Sequence, residues 1–433
     1  MPEALDARVA ADGLTGRLTA VLLFLSLALA LVLPNALDVG LSALVLLALL
    51  WLARHGRGQW RSLHRVEWLL LAAPLIFVVA WLLAWALHGL PEAGIGSAQR
   101  LPKLLAVVPL FLFLRRVEGL DAVWWNGLVA GSLIAGGYAL WFTLSGQTGD
   151  YGSRVEGPTN PIYFGGFAMA YALMLIPRLA DERQSGAARS LAAIAIIMAF
   201  VANALSGSRG AWLAIPILLA IYLFTAGARQ PVRWRLGVPL MMLALSLVVL
   251  LVPTLPMSDR LGETLQELSL AGNGQDSFGG IGLRLQMWEI AAGLIGEHPW
   301  TGTGAGSFRL ALVESVQVGQ HDPTLLRYAH PHNQYLSALV DGGAGLLAAL
   351  VVLLTAPLLA VSPLSRTHSR QCRYLAWCAL AATVTFAVLA VSESLFERNA
   401  GITWFAFLAA ASTALATGST PSTAQRHEAP GHH

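Results

Sequence analysis

RYAHPHNQYLSALVDGGAG, Arg327 to Gly345, is the stretch on which the reading of this chain turns: a polar run dense in histidine and tyrosine passes directly into a membrane-grade hydrophobic helix. Pro331 suits a first helical position, which would put His332, Tyr335, Leu336 and Leu339 at i, i+3, i+4 and i+7 on one face. Free backbone N–H groups and the positive dipole end at such a terminus favour an anion and oppose protonation of an imidazole. His332 is therefore expected as a neutral base beside an anion.

The surrounding composition sets the class. Of 433 residues, 56% are hydrophobic and 12% charged, the mean hydropathy is +0.63, and many apolar runs can cross about 30 Å of hydrocarbon. The runs do not alternate as barrel strands do, and only helices satisfy their own backbone over such lengths. An all-α polytopic membrane protein follows. The first apolar run has no small-residue cleavage site before Pro34 and is read as a retained span. Cys372 and Cys378, six apart on one expected helix, suit packing better than a disulfide or a metal.

Twelve spans are expected, at 15–34, 36–53, 67–88, 100–114, 120–144, 160–177, 189–205, 209–227, 236–255, 332–360, 372–392 and 400–417. With the N-terminus inside, 18 of the 27 basic residues fall in inner segments, which supports two cytoplasmic termini. The chain then divides into 1–255, nine spans; 256–331, a large outer loop; 332–417, three spans; and 418–433, a disordered tail. Long loops carry function. Ser258 to Leu270 can form an amphipathic helix, as can the run from Arg284, with Met287, Ile290, Ala291 and Leu294 on one stripe; both would lie on the membrane and roof a cavity.

The outer face offers Arg209, Arg284, Arg154, His330 and His332. Guanidinium groups grip phosphates bidentately and stay charged. Several around an imidazole suit a phosphorylated lipid whose anionic group leaves while His332 takes a proton from an incoming hydroxyl, as in glycosyl transfer from a lipid diphosphate. Carboxylates read as scattered, with no His/carboxylate cluster at ligand spacing, so metal-independent chemistry is expected and neither a cofactor nor nucleic acid. Arg154, Arg100 and Lys103 stand between a substrate role and contact with lipid headgroups. Trp288 and Tyr335 fit interfacial anchoring, and Gly302 to Gly306 a turn, since no strand precedes it to make a phosphate cradle. Asp341, buried in the outer leaflet region, either partners an outer arginine or polarises a catalytic group.

Three stretches in order, SGSRGAWL (206–213), RLQMWEIAAGLIGEHPWTGTGAGSF (284–308) and HPHNQYLSALVDGGAGLL (330–347), with the weaker GPTNPIYFGG (157–166) before them, resemble the bacterial O-antigen ligase and polymerase superfamily. The resemblance implies a GT-C-like, metal-independent glycosyltransferase of the inner membrane, using an undecaprenyl-diphosphate-linked glycan on the periplasmic side. It also implies functional roles for Arg209, Arg284 and His332. Beside these, Arg154 is expected as a further diphosphate contact, with His330, Asn333, Tyr335, Asn160, Asp341 and Trp288 in support. Asp341 departs from the Glu common in relatives. Twelve spans and one dominant late loop look most like the ligase, whose acceptor is the lipid A-core; polymerases take another lipid-linked repeat, and protein O-oligosaccharyltransferases a Ser or Thr. A transporter of a lipid-linked glycan or small anion is the rival class, disfavoured because the polar residues gather at one face rather than near the midplane.

Overall fold

A computed structural model describes residues 9–10, 12–224, 230–251, 280–362 and 369–418. The loop helix expected at 258–270 and the tail after 418 lie outside the described residues. Among the described residues the chain is helical apart from two isolated bridges, Val9 with Val117 and Gly149 with Gly152. Ten helices are long and apolar enough to span a membrane. They are α2 (Ala36–His55), α3 (Arg65–Leu87), α4 (Glu92–Leu114), α5 (Leu120–Leu144), α6 (Pro161–Ala180), α7 (Gly186–Ser206), α9 (Val232–Leu251), α12 (Gln334–Val361), α13 (Arg370–Leu389) and α14 (Asn399–Gly418). Two shorter apolar helices, α1 (Leu14–Leu29) and α8 (Gly210–Phe224), fall at the first and eighth expected spans. The 16 residues of α1 reach only about 24 Å at 1.5 Å per residue. Between α9 and α12 lie α10 (Gly280–Glu297) and α11 (Ser307–Gln317).

Burial ranks the helices. In α14 94% of the apolar window is buried and in α6 89%, against 17% in α9, so α6 and α14 form the centre and α9 the periphery. Small residues make that centre possible, because in lipid helices associate by close packing rather than by leaving water. A side chain at Gly166 would run into Leu389, and one at Gly401 into the Leu395 carbonyl. Phe167 of α6 and Trp404 of α14 stack at 4.2 Å between centroids.

Charged residues mark the two ends of the bundle. At one, Arg115 pairs with the buried Glu67 at 3.2 Å and Arg370 with Asp181 at 2.9 Å. At the other, Lys103 pairs with Asp38 at 2.8 Å and Arg100 with Glu397 at 3.3 Å. Lys103 and Arg100 thus find carboxylates within the protein where lipid headgroups were the alternative. Their helix, α4, begins at Glu92 rather than Arg100. Its 3-10 turns at Glu92–Gly94 and Leu101–Ala106 include Pro102, which has no N–H to give and crowds the preceding turn.

α12, expected as one uninterrupted helix, is broken. Gly342 (φ −148°) and Gly343 (φ 64°, ψ −159°) leave the helical region, and the turn after α10 fills the gap. Thr303 N–H donates to the Val340 carbonyl at 2.7 Å, and Ala344 N–H donates to the Pro299 carbonyl at 2.9 Å. His88, which follows α3, donates from Nε2 to the Gly302 carbonyl at 3.1 Å. The backbone groups that a broken helix would strand in a dry bundle are therefore satisfied by the loop. A side chain at Gly343 would meet the Trp300 backbone in a conformation that only glycine adopts freely. Gly343→Ala is expected to cost about 1–3 kcal/mol, read as a lower unfolding midpoint of the detergent-solubilised protein. An unchanged midpoint would mean that the loop is not locked into the break.

Candidate active site

α12 starts at Gln334, not at Pro331. Asn333 caps it, its Oδ1 accepting from Tyr335 N–H at 3.0 Å and Leu336 N–H at 3.1 Å. An asparagine in extended conformation satisfies two orphan donors, which a proline at the first position does not. The expectation that those N–H groups wait for an anion is thereby overturned, and so is the shared face of His332 with Tyr335. His332 instead precedes the cap with φ 49°, a left-handed conformation uncommon outside glycine and concentrated at functional sites.

What holds it there is a strap, Ser392 to Arg398, between α13 and α14. Asn333 N–H donates to Ser394 Oγ at 3.2 Å, Gln334 N–H to the Ala390 carbonyl at 2.8 Å, and Phe396 N–H to Gln334 Oε1 at 2.7 Å. Ser337 and Ser394 share a hydroxyl hydrogen bond at 2.8 Å. Glu393 on this strap is 2% exposed, and His332 Nδ1 lies 3.0 and 3.1 Å from its two oxygens. His330 Nε2 is 4.0 Å from the same carboxylate. Tyr328 sets its ring edge to face with His332 at 5.1 Å.

Burial alone would raise the Glu393 carboxyl. The hydrogen bond from His332 and the positive charges of His332, His330 and Arg284 outweigh it and hold the group below the usual range. His330 is pushed down to about 4 by burial first, then by the charges of His332 and Arg398, with Glu393 opposing.

Beside His332 opens a cavity of about 300 Å³ lined by Arg154, Arg209, Arg284, Tyr151 and Tyr328 as well as His332. Four residues from distant motifs thus meet at one place. The turn carrying Arg209 is built by Asn203, whose amide donates to the Gly165 carbonyl at 2.8 Å and whose Oδ1 accepts from Trp212 Nε1 at 2.6 Å. Arg154 donates from Nε to the Ser206 carbonyl at 2.9 Å, tying its loop to that turn. Arg284 comes from α10, whose stripe of Met287, Ile290 and Ala291 packs on Phe308, Leu312, Leu325 and Val340. That stripe, expected on the membrane surface, is covered by the protein itself.

The other named residues act around the cavity. Trp288 Nε1 donates to the Pro331 carbonyl at 3.0 Å, fixing the histidine run under the roof. Asn160 caps α6, accepting from Tyr163 N–H at 2.9 Å. Tyr335 donates to the Ala387 carbonyl at 2.8 Å and lines an apolar groove between α12 and α13. Asp341 sits just before the break in α12, in a small gap with Trp81 and Glu397, so a second carboxylate rather than an arginine adjoins it.

The carboxylates are not all scattered, as the sequence suggested. Ligand atoms of His330, His332 and Glu393 lie within 4.8 Å of one another, a group that could hold a metal ion. Glu393 is 61 residues from His332 in sequence, and only folding joins them. A carboxylate on Nδ1 fixes the ring and its tautomer and leaves Nε2 for chemistry, which accounts for the contact without an ion.

Fold and cavity together define a multi-pass membrane protein with a guanidinium-lined, imidazole-bearing site at one end of its bundle. Residues 193–351 match the family described as O-antigen ligase, a likeness that supports a member of the O-antigen ligase/polymerase superfamily, whose members are glycosyltransferase-like enzymes. Arg209, Arg284 and His332 fall inside the matched region; Arg154 and Glu393 do not. A curated relative from Haemophilus influenzae, named "Uncharacterized protein", is 26% identical over 212 residues, 48% of this chain and 52% of that protein. The chain spans about half the length of the curated relative it matches.

Folded His330 at about 4 lies below its ordinary 6.5, so the unfolded chain binds the proton more readily between those values. Stability is then full above pH 6.5 and falls as pH drops toward 4, by about 3 kcal/mol across the window. The depressed Glu393 contributes above the unfolded carboxylate range and is lost only at more acid pH. Unfolding midpoints of wild type should fall between about pH 7 and about pH 5, and His330→Gln should flatten that dependence. Parallel curves would place the sensitivity elsewhere.

Proposed function

We propose that the protein is an O-antigen ligase, transferring polysaccharide from undecaprenyl diphosphate to the lipid A-core at the periplasmic face of the bacterial inner membrane, with twelve spans and both termini cytoplasmic. The observation that carries the reading is the convergence of Arg154, Arg209, Arg284 and His332 on one cavity at one end of the bundle.

The donor diphosphate docks on the arginines, whose fixed charge and paired donors meet its oxygens. The acceptor hydroxyl approaches the anomeric carbon from the side opposite the diphosphate. Its proton passes to Nε2 of His332 as the new carbon–oxygen bond forms, and the old one breaks with its electron pair leaving on the diphosphate. One displacement inverts the anomeric centre. Glu393 holds Nδ1–H throughout and stabilises the imidazolium that results, the role a carboxylate takes behind a general base. The leaving charge is met by guanidinium groups that need no reorganisation, so no metal is required.

A lipopolysaccharide gel from a host lacking the gene tests the assignment. Core without repeats, with polymer retained on undecaprenyl diphosphate, is expected, and wild type but not His332→Ala should restore the ladder. Core carrying a single repeat would mean a polymerase, and an unchanged ladder a protein acceptor or a transporter. In purified protein His332→Ala should cost about 10²- to 10⁴-fold in turnover, and near-normal turnover would remove it as the base. Arg284→Lys should weaken donor binding, because a point charge does not reproduce the fork. Chelator treatment should leave turnover intact; loss restored by a divalent cation would make His330, His332 and Glu393 a metal centre instead.

A further inference from the structure

A second cavity, of about 350 Å³, opens at the same end of the bundle as the arginine cavity. The same two elements serve both. The strap gives Ser392 to the first and Glu397 and Arg398 to the second, while the first turn of α6 gives Ile162 to the first and Tyr163 and Phe164 to the second. Tyr163 donates from its hydroxyl to the Leu395 carbonyl at 3.1 Å, binding these elements into one partition.

The second cavity differs in chemistry. Its walls are apolar and belong to the core, with Leu31, Phe164, Phe167 and Trp404 each no more than 5% exposed. Its rim is polar. Arg100 and Glu397 are paired there, and Arg398 is exposed and enters no ion pair among the described residues. Asp38 also lines it and is paired with Lys103, so an apolar floor lies under one unmatched guanidinium, which suits an amphiphile whose head bears an anionic group.

We propose that this cavity seats a lipid chain of the acceptor glycolipid, on the far side of the partition from the donor diphosphate, with the sugar head reaching across the strap to His332. The inference rests on the reading of the protein as a glycosyltransferase between two lipid-anchored molecules. Both must reach His332 from the same leaflet, and in-line displacement requires them to come from opposite sides. One cavity with three arginines and one with an apolar floor and a single unpaired arginine meet those two needs separately. A second arginine-rich pocket would not have distinguished them.

Two variants and one probe test it in full-length protein reconstituted with donor and a lipid A-core glycolipid. Arg398→Glu should raise the acceptor KM roughly tenfold, the loss of one charge-assisted contact, with the donor KM unchanged. Ala400→Trp, which fills the cavity, should act in the same sense. A rise in the donor KM, or no change in either, would overturn the assignment. A benzophenone-bearing residue in place of Ala36 should capture the glycolipid rather than polyprenyl diphosphate or bulk phospholipid; capture of either of those alone would also overturn it. Were wild type to show no transfer, the enzymatic reading would fail by itself, and the cross-link would still decide what the cavity holds.

Discussion

A buried carboxylate needs a partner, and at one end of this bundle Glu393 finds one in His332. Burying a carboxylate without compensation is expensive, and the hydrogen bond to Nδ1 offsets that cost only if the imidazole is brought to it. The strap, the left-handed turn at His332, the Asn333 cap and the Gln334 bonds are consequences of bringing it there. The same contact commits one ring nitrogen to structure and gives the other to the cavity. The energy that orients the imidazole is therefore folding energy.

The polar apparatus is mounted on an apolar frame that holds it by packing. Phe396 of the strap leans on Phe77, Phe386 and Phe405, so the strap cannot shift without disturbing rings from three helices. Closely packed interiors resist such shifts. Beneath it Gly166 of α6 leaves room for Leu389 of α13, and Gly401 of α14 for the Leu395 carbonyl of the strap, where lipid supplies no driving force for association. The outer ion pairs join helix ends distant in sequence, Asp38 to Lys103 and Arg100 to Glu397.

Much of this was legible in the chain. Twelve apolar segments were visible because hydropathy alone marks a helix that lipid will accept, and the helices found overlap all of them. Arg209, Arg284 and His332 were legible because each sits among the residues that build its own turn, Ser206 and Ser208 around the first and Trp288 beside the second. Glu393 was not, since its meaning depends on a fold that closes 61 residues. The start of α12 was misplaced because Pro331 and Asn333 both announce a helix, and the side chain able to satisfy two N–H groups prevailed. The break at Gly342 and Gly343 was written in a Gly-Gly pair, but what fills it comes from another part of the loop.

That filled break ties the roof to α12 at one end, and Trp288, one turn from Arg284, ties it to the histidine run at the other. The turn from Pro299 to Thr303 is locked into α12, while Arg284 sits near the opposite end of α10, some fifteen residues or about 22 Å back along the helix. A tilt of α10 that displaces the Arg284 guanidinium therefore pulls on the Pro331 carbonyl, next in the chain to His332. The guanidinium and the imidazole are thus mechanically coupled, and a load taken up at one is felt at the other.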